Sequence, residues 1–111
     1  MVDQSIVTIV RRYLHNLIDQ GVPVSHGVLF GSHAADRADA WSDIDLLVVS
    51  PLFDLPVRQD DVSKLWRIAA RTDSRIEPIP CGERQWMEDT VSAIIEIVRR
   101  EGTRIEPARG A

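Results

Sequence analysis

Apolar residues recur every three to four positions in three segments of the chain, a spacing that predicts three amphipathic helices. The first is expected over residues 5–20 with Asp3 or Ser5 as its N-cap, the second begins near residue 60, and the third is a long helix from about residue 83 to Gly102. The positions that define the three apolar faces are Ile6, Val10, Tyr13, Leu14 and Leu17; Val62, Leu65, Trp66 and Ala69; and Met87, Val91, Ile94, Ile95 and Val98.

Four shorter apolar segments predict β-strands. The segment at 42–49 has the clearest strand pattern, and the prolines in the third segment favour a position at the edge of a sheet. A strand is therefore expected at residues 24–30, 42–49, 75–80 and 103–106.

The connection between the first two strands, residues 33–40, suits either a short helix or two turns and a loop. Alternation of helices and strands along 111 residues predicts one domain over residues 1–111. Its expected class is α/β (α+β), a small mixed β-sheet with flanking helices.

Composition narrows the possible functions. The net charge of −4 argues against a nucleic-acid binder that relies on basic charge, although metal ions could offset the charge of one bound nucleotide. A single cysteine, Cys81, excludes an internal disulfide.

The amphipathic start is not a signal peptide and no apolar stretch reaches membrane-spanning length, so a cytoplasmic protein is expected. Its small core suggests a hetero- or homo-oligomer that covers part of the apolar surface.

Two aspartates open the clearest strand. Because side chains alternate along a strand, Asp43 and Asp45 should point to one face while Ile44 and Leu46 enter the core. Two neighbouring carboxylates repel unless a positive charge lies between them, and carboxylate oxygens suit Mg²⁺. The alternative interpretation is a solvent-exposed start of a strand.

Gly31-Ser32, at the end of the first strand, could bind phosphate. A glycine permits close approach of backbone to a ligand, and the following N–H groups and the Ser32 hydroxyl can donate to phosphate oxygens. A short return to the next strand would place this loop beside Asp43 and Asp45. A metal–triphosphate site is therefore expected at one edge of the sheet.

These residues resemble the motif of the nucleotidyltransferase superfamily that includes DNA polymerase beta, and more closely that of minimal nucleotidyltransferase (MNT) antitoxins. The family motif is Gly-Ser, about ten residues, then Asp-x-Asp in an apolar strand. Here Gly31-Ser32 is followed by ten residues and Asp43-Ile44-Asp45. The resemblance extends over nearly the whole chain.

The resemblance implies a third acidic residue on a later strand, and Glu77 is at the matching position. It thus implies Asp43, Asp45 and Glu77 as catalytic residues and ligands of two Mg²⁺ ions, with ATP as substrate. Gly31, Ser32 and Ser42 are the implied nucleotide-binding residues.

Two departures from the family pattern bear on catalysis. Glu77 is one methylene longer than the usual aspartate, and Ala35-Asp36 stands where relatives have Arg-Gly, leaving Arg37 as the nearest cation. An ion pair between Glu77 and Arg75 is the alternative role for that carboxylate.

The resemblance further implies an antitoxin of a toxin–antitoxin pair that transfers AMP to a tyrosine of a HEPN-type toxin. No membrane or direct nucleic-acid partner is expected. The alternatives are adenylylation of a small molecule of the aminoglycoside type, and a catalytically weak or inactive protein that neutralises its partner by binding. A structural domain with an accidental motif is a further, weaker alternative.

Two other predictions concern single residues near these elements. His33 could touch a phosphate, but a solvated loop histidine is the expectation. Arg99 and Arg100 are expected on a solvated helix face.

Overall fold

The computed structural model describes residues 2–35, 37–39, 41–54, 56–89 and 91–108. Four helices and four strands occur in these ranges, together with one turn of 3-10 helix at Pro51–Phe53. The helices are α1 (Gln4–Asp19), α2 (Gln59–Thr72), α3 (Glu83–Glu88) and α4 (Ala93–Glu101). The strands are β1 (His26–Phe30), β2 (Ile44–Val49), β3 (Ile76–Cys81) and β4 (Thr103–Ile105).

The four strands form one mixed sheet in the order β3-β2-β1-β4. β1 runs antiparallel to β2 and β4, whereas β2 and β3 are parallel. The predicted small mixed sheet with flanking helices is confirmed, and β3 with its prolines lies at an edge as predicted. This topology brings the C-terminal end of β1 beside the N-terminal ends of β2 and β3.

Helices cover both faces of the sheet. One apolar cluster joins Leu29, Ile44 and Leu46 to buried residues of α1 and α2, so we call this side the α1–α2 face. Val28 and Leu47 instead pack with residues of α4 and with Trp86 of α3, which defines the α4 face. Alternate residues of each strand thus enter different clusters, as the period of two requires. Burial on both faces explains the nearly continuous apolar run of β2.

The N-cap of α1 is as expected: Asp3 accepts a hydrogen bond from the Ser5 amide at 2.8 Å. The connection between β1 and β2 consists of turns and a loop in its described part, in agreement with the second of the two predicted alternatives. Asp36 and Ala40 lie outside the described residues.

The prediction of one long helix after β3 is wrong, because α3 and α4 are separate. The Asp89 side chain accepts hydrogen bonds from the amides of Val91 and Ser92 at 2.8 and 2.9 Å, and this turn diverts the chain. Met87 and Val91, which were expected on a buried face, are 79% and 92% exposed.

Arg99 holds α3 against α4. Its guanidinium donates to the carbonyls of Gln85, Trp86 and Asp89 and lies 5.5 Å from the centre of the Trp86 ring. The expectation of a solvated Arg99 is therefore wrong, because the side chain satisfies carbonyls at the end of a short helix.

Trp66 was predicted to be either a core residue or a partner-facing residue of α2, and it does not lie in the core. The indole is 47% exposed, and the buried residues of α2 are Leu65, Ile68 and Ala69. These three residues define a face turned about 100° away from Trp66, the rotation per residue of an α-helix.

In the described part of the chain, no helix is long and apolar enough to cross a membrane.

His26 is a buried histidine whose ring nitrogens have no hydrogen-bond partner among the described residues. The ring is 4% exposed and packs edge-to-face against Trp86, with 5.8 Å between ring centres. Burial, helped by Arg104, lowers the pKa of His26, and the carboxylates of Glu106 and Glu83 oppose this shift. The folded state therefore favours the neutral imidazole.

We expect His26 to make the fold sensitive to mild acid. Because its pKa is lower in the folded than in the unfolded chain, stability is complete above the unfolded pKa and decreases as the pH falls below it. His26→Phe should reduce the fall in Tm between neutral pH and mildly acidic pH. His15→Phe, at a partly exposed histidine beside Asp19, is the matched control. Equal Tm losses in the wild type and His26→Phe would contradict this role.

Candidate functional site

Asp43 and Asp45 lie at the N-terminal end of β2. Asp43 is exposed and Asp45 half-buried, whereas Ile44 and Leu46 are fully buried in the cluster on the α1–α2 face. Since side chains alternate, Asp45 lies on the α4 face of the sheet. Burial, together with the negative charge of Asp43, raises the pKa of Asp45. The two carboxylates are therefore electrostatic neighbours, as the predicted alternation requires.

Glu77 lies beside Asp45 on the adjacent strand. The parallel register pairs Asp45 with Glu77, so both side chains project from the same face. Burial, followed by the charges of Asp43 and Asp45, raises the pKa of Glu77. The structure thus brings Asp43, Asp45 and Glu77 together, and we call these residues the carboxylate cluster.

The three carboxyl groups of the carboxylate cluster influence one another's ionisation. A hydrogen bond from Glu77 opposes the rise in the pKa of Asp45, whereas hydrogen bonds to Asp45 and Asp43 contribute to the raised pKa of Glu77. Burial and the mutual repulsion of the carboxylates thus favour the neutral forms of Asp45 and Glu77 more than in the free side chains. A cation at this position would relieve the same repulsion.

Arg75 forms a bidentate ion pair with Asp73, with distances of 3.1 and 2.9 Å from Nε and an Nη nitrogen to the carboxylate oxygens. The groups that shift the pKa of Glu77 are Asp43 and Asp45. The electrostatic neighbours of Glu77 are therefore the other two carboxyl groups of the cluster. This differs from the predicted alternative, an ion pair between Glu77 and Arg75.

Gly31 brings the loop after β1 into contact with the carboxylate cluster. Its φ of +75° lies in the left-handed region that favours glycine. A Cβ atom built at Gly31 would lie 2.3 Å from Oδ2 of Asp45, so any side chain at this position would displace the Asp45 carboxylate. The β1–β2 register agrees, since Phe30 pairs with Asp45. Half-buried Ser32 follows at once.

Ser42 has a different environment from the other predicted nucleotide-binding residues. Its hydroxyl accepts from the Asp39 amide at 3.0 Å and donates to the Asp39 carboxylate at 3.2 Å. The hydroxyl therefore stabilises the turn before β2. Any contact of this hydroxyl with a nucleotide would compete with the two hydrogen bonds to Asp39.

His33 contradicts the expectation of a solvated loop histidine. The side chain is 8% exposed, and Nε2 lies 3.3 Å from the carbonyl oxygen of Ser42. The position of His33 directly after Ser32 was visible in the sequence. Its contact with Ser42 depends on how the loop folds, so spacing did not indicate it.

Cys81 lies away from the carboxylate cluster and is not a candidate nucleophile. It is fully buried at the far end of β3, and burial raises the pKa of its thiol to about 11. A thiolate nucleophile is therefore disfavoured at neutral pH.

The donor atoms of the carboxylate cluster suit a hard divalent cation such as Mg²⁺. Across the described ranges, however, no three His, Cys, Asp or Glu side chains are arranged as a group that could hold a metal ion. As folded, the cluster is a pair of neighbouring carboxyl groups on adjacent strands, Asp45 and Glu77, with Asp43 beside them. The set of three metal ligands stays a prediction.

We expect Mg²⁺ binding to favour the ionised form of Glu77. At a pH below the raised pKa of Glu77, Mg²⁺ binding should release a proton, and Mg²⁺ affinity should fall as the pH falls. Glu77→Gln should suppress this release and weaken Mg²⁺ binding about tenfold. Calorimetry in buffers of different ionisation enthalpy measures both quantities.

Glu88→Gln is the control for the Glu77 experiment, since Glu88 is an exposed carboxylate beside Arg84 on α3. Its proton release should equal that of the wild type. Unchanged proton release in Glu77→Gln would show that Glu77 does not hold the displaced proton.

Comparison with known proteins places the chain in a described family. The family model for the nucleotidyltransferase domain matches residues 11–98, which include Gly31, Ser32 and the whole carboxylate cluster. No curated protein shows significant sequence similarity to the chain.

Proposed function

Because the chain belongs to the nucleotidyltransferase domain family, we propose that it is a Mg²⁺-dependent enzyme that transfers AMP from ATP to a hydroxyl group. Family membership supports nucleotidyl transfer in general, whereas ATP, Mg²⁺ and the acceptor are parts of the proposal. In this reaction the acceptor oxygen forms a bond to the α-phosphorus. The bond from that phosphorus to pyrophosphate breaks, and the acceptor loses its proton.

The contact between Gly31 and Asp45 is the observation that carries this proposal. The close approach of the Gly31 backbone to Oδ2 of Asp45 brings a loop suited to phosphate beside a carboxylate suited to a cation. A triphosphate with its divalent cation requires both groups within one ligand's length. The resemblance in sequence predicted both groups, and their proximity supports a common ligand.

Each residue has a distinct proposed role. Asp43 and Asp45 would hold Mg²⁺, and the amides after Gly31 together with the Ser32 hydroxyl would orient the triphosphate. When bound, Mg²⁺ neutralises charge on the phosphates and favours attack at phosphorus. The protein then contributes mainly by positioning and by electrostatics.

Glu77 is the proposed base toward the acceptor, or a further metal ligand. A general base works best when its pKa approaches the working pH, and the pKa of Glu77 is raised from its ordinary value. Its position on an edge strand leaves one side of the carboxylate cluster accessible to an acceptor.

The proposed acceptor is a tyrosine of a HEPN-type toxin, with this chain as the antitoxin. Sequence resemblance supports this pairing. Exposed apolar residues on α3, on α4 and between them are the candidate contact surface for such a partner: Met87, Val91, Ile94 and Ile97.

The test is co-purification with the toxin, followed by intact-mass measurement after incubation with ATP and Mg²⁺. With the wild type, the mass of the partner should increase by one AMP. No increase is expected with Asp43→Asn, or with the wild type in the presence of EDTA. An unmodified partner in the wild-type reaction would overturn the proposed activity toward this acceptor.

A second candidate function is inhibition of the partner by binding alone. It is favoured by the raised pKa of Glu77, since a carboxyl group that ionises less readily is a weaker metal ligand, and by Asp36, which lies outside the described residues. Under this function Asp43→Asn would inhibit the partner as well as the wild type does, with no change in the partner's mass.

A further inference from the structure

His33 connects the two ends of the loop that separates the proposed phosphate-binding residues from the carboxylate cluster. It directly follows Ser32, and its Nε2 atom lies 3.3 Å from the carbonyl oxygen of Ser42, the residue before Asp43. One side chain thus spans from the residue after Ser32 to the residue before Asp43.

Each half of the loop is closed by its own local hydrogen bonds. In the first half, the amides of Ala35 and Arg37 donate to the carbonyls of Gly31 and Ser32 at 3.1 and 2.9 Å. In the second half, the Asp39 carboxylate accepts from the Trp41 amide at 2.8 Å. Of the side-chain hydrogen bonds in the described part of this loop, the one from His33 joins the two halves.

The His33 ring lies beside a cavity. His33 is 8% exposed, and with Asp3, Ile6 and Arg75 it lines a cavity of about 420 Å³. Because the ring borders a cavity, its replacement by a smaller polar side chain should leave the apolar core intact.

We propose that His33 is a positioning residue that fixes Ser32 at the distance from Asp43 required by a triphosphate and its cation. This inference rests on the proposed function. Since the acceptor atom is a carbonyl oxygen, Nε2 of His33 must carry the proton and donate it to the hydrogen bond. Without this bond, the two halves of the loop can separate, and the triphosphate contacts and cation contacts no longer match one ligand.

The test compares two amides of different length at position 33. The Gln amide nitrogen reaches about as far as Nε2 of His, whereas the Asn amide stops near the position of Nδ1. His33→Asn should raise the Kd for Mg·ATP about tenfold, the effect of losing one net hydrogen bond. The Kd of His33→Gln for Mg·ATP should stay within about threefold of the wild-type Kd.

Two further readouts distinguish positioning from general stability. The affinity for Mg²⁺ without ATP should be nearly equal in both variants, because it does not depend on Ser32. The Tm should also be nearly equal, because position 33 borders a cavity and both replacements are polar side chains that leave the apolar core intact. In transfer assays His33→Asn should raise the KM for ATP more than it lowers kcat.

The possible outcomes separate this inference from the proposed function. If the wild type binds no ATP in the presence of Mg²⁺, the proposed function fails. If the wild type binds but His33→Asn binds equally well, the positioning role alone is overturned. Equal losses in both variants, accompanied by a lower Tm, would show that His33 is structural and would also overturn it.

Discussion

Asp45→Asn should abolish Mg²⁺-dependent nucleotide transfer and at the same time raise the Tm of the metal-free protein. Loss of a cation ligand removes several kcal/mol of transition-state stabilisation, so a decrease of about 10³-fold is expected. The gain in stability follows from the raised pKa of Asp45, which has burial and Asp43 as its causes.

The sign of the stability effect follows from linkage. Because folding raises the pKa of Asp45, its ionised form is disfavoured in the folded state, and this penalty is present above the folded pKa. It disappears below the pKa of the unfolded chain. At neutral pH an uncharged asparagine avoids the penalty, and 1 kcal/mol gained corresponds to about 4–8 °C in Tm.

Asp60→Asn is the control for Asp45→Asn, since Asp60 is an exposed carboxylate in the first turn of α2. It should retain transfer activity and show no rise in Tm. Thermal denaturation with EDTA and a pyrophosphate-release assay measure the two effects. A lower Tm in Asp45→Asn would mean that the carboxylate stabilises the metal-free fold, contrary to this account.

Gly31→Ala should impair Mg·ATP binding far more than it impairs folding. The new Cβ would lie 2.3 Å from Oδ2 of Asp45, and that oxygen is the end of a side chain that can rotate away. Rotation relieves the clash but removes the carboxylate from its place beside the loop. We therefore expect the Kd for Mg·ATP to rise at least about 100-fold, the effect of losing roughly 3 kcal/mol of binding free energy.

Gly21→Ala provides the matched control for Gly31→Ala. Gly21 also has a positive φ, +93°, but its nearest neighbour to an added Cβ is Nζ of Lys64 at 3.7 Å. Both variants should lose about 1–2 kcal/mol of stability from backbone strain in urea unfolding. Gly21→Ala should keep normal ATP affinity. Equal ATP affinities in the two variants would contradict a site formed by Gly31 and Asp45.

Much of the sheet and of the carboxylate cluster could be predicted because both depend on short-range patterns. Alternation of polar and apolar residues at 43–46 placed Asp43 and Asp45 opposite the buried Ile44 and Leu46. The prolines of β3 indicated the edge strand. Placing Glu77 beside Asp45 required the family resemblance, since the register of two distant strands is not encoded in local spacing.

The predictions that the structure contradicts concern features that depend on contacts between distant residues or on competing local hydrogen bonds. The apolar spacing of residues 87–98 suits one helix, but the Asp89 carboxylate binds the amides of Val91 and Ser92 and ends that pattern. In the sequence Arg99 resembles a surface cation, but in the structure its guanidinium donates hydrogen bonds to carbonyls of α3. His33 is buried because the fold of the loop brings its ring against the carbonyl of Ser42. Neither composition nor residue spacing indicates this contact.

Calorimetric titration of the wild type with ATP, in Mg²⁺ and then in EDTA, tests the central claim most directly. We predict saturable binding of one ATP in Mg²⁺, at least about tenfold weaker binding in EDTA, and a similar loss in Asp43→Asn with Mg²⁺ present. Binding of equal strength in all three experiments, or no binding in any, would contradict a shared site for cation and triphosphate.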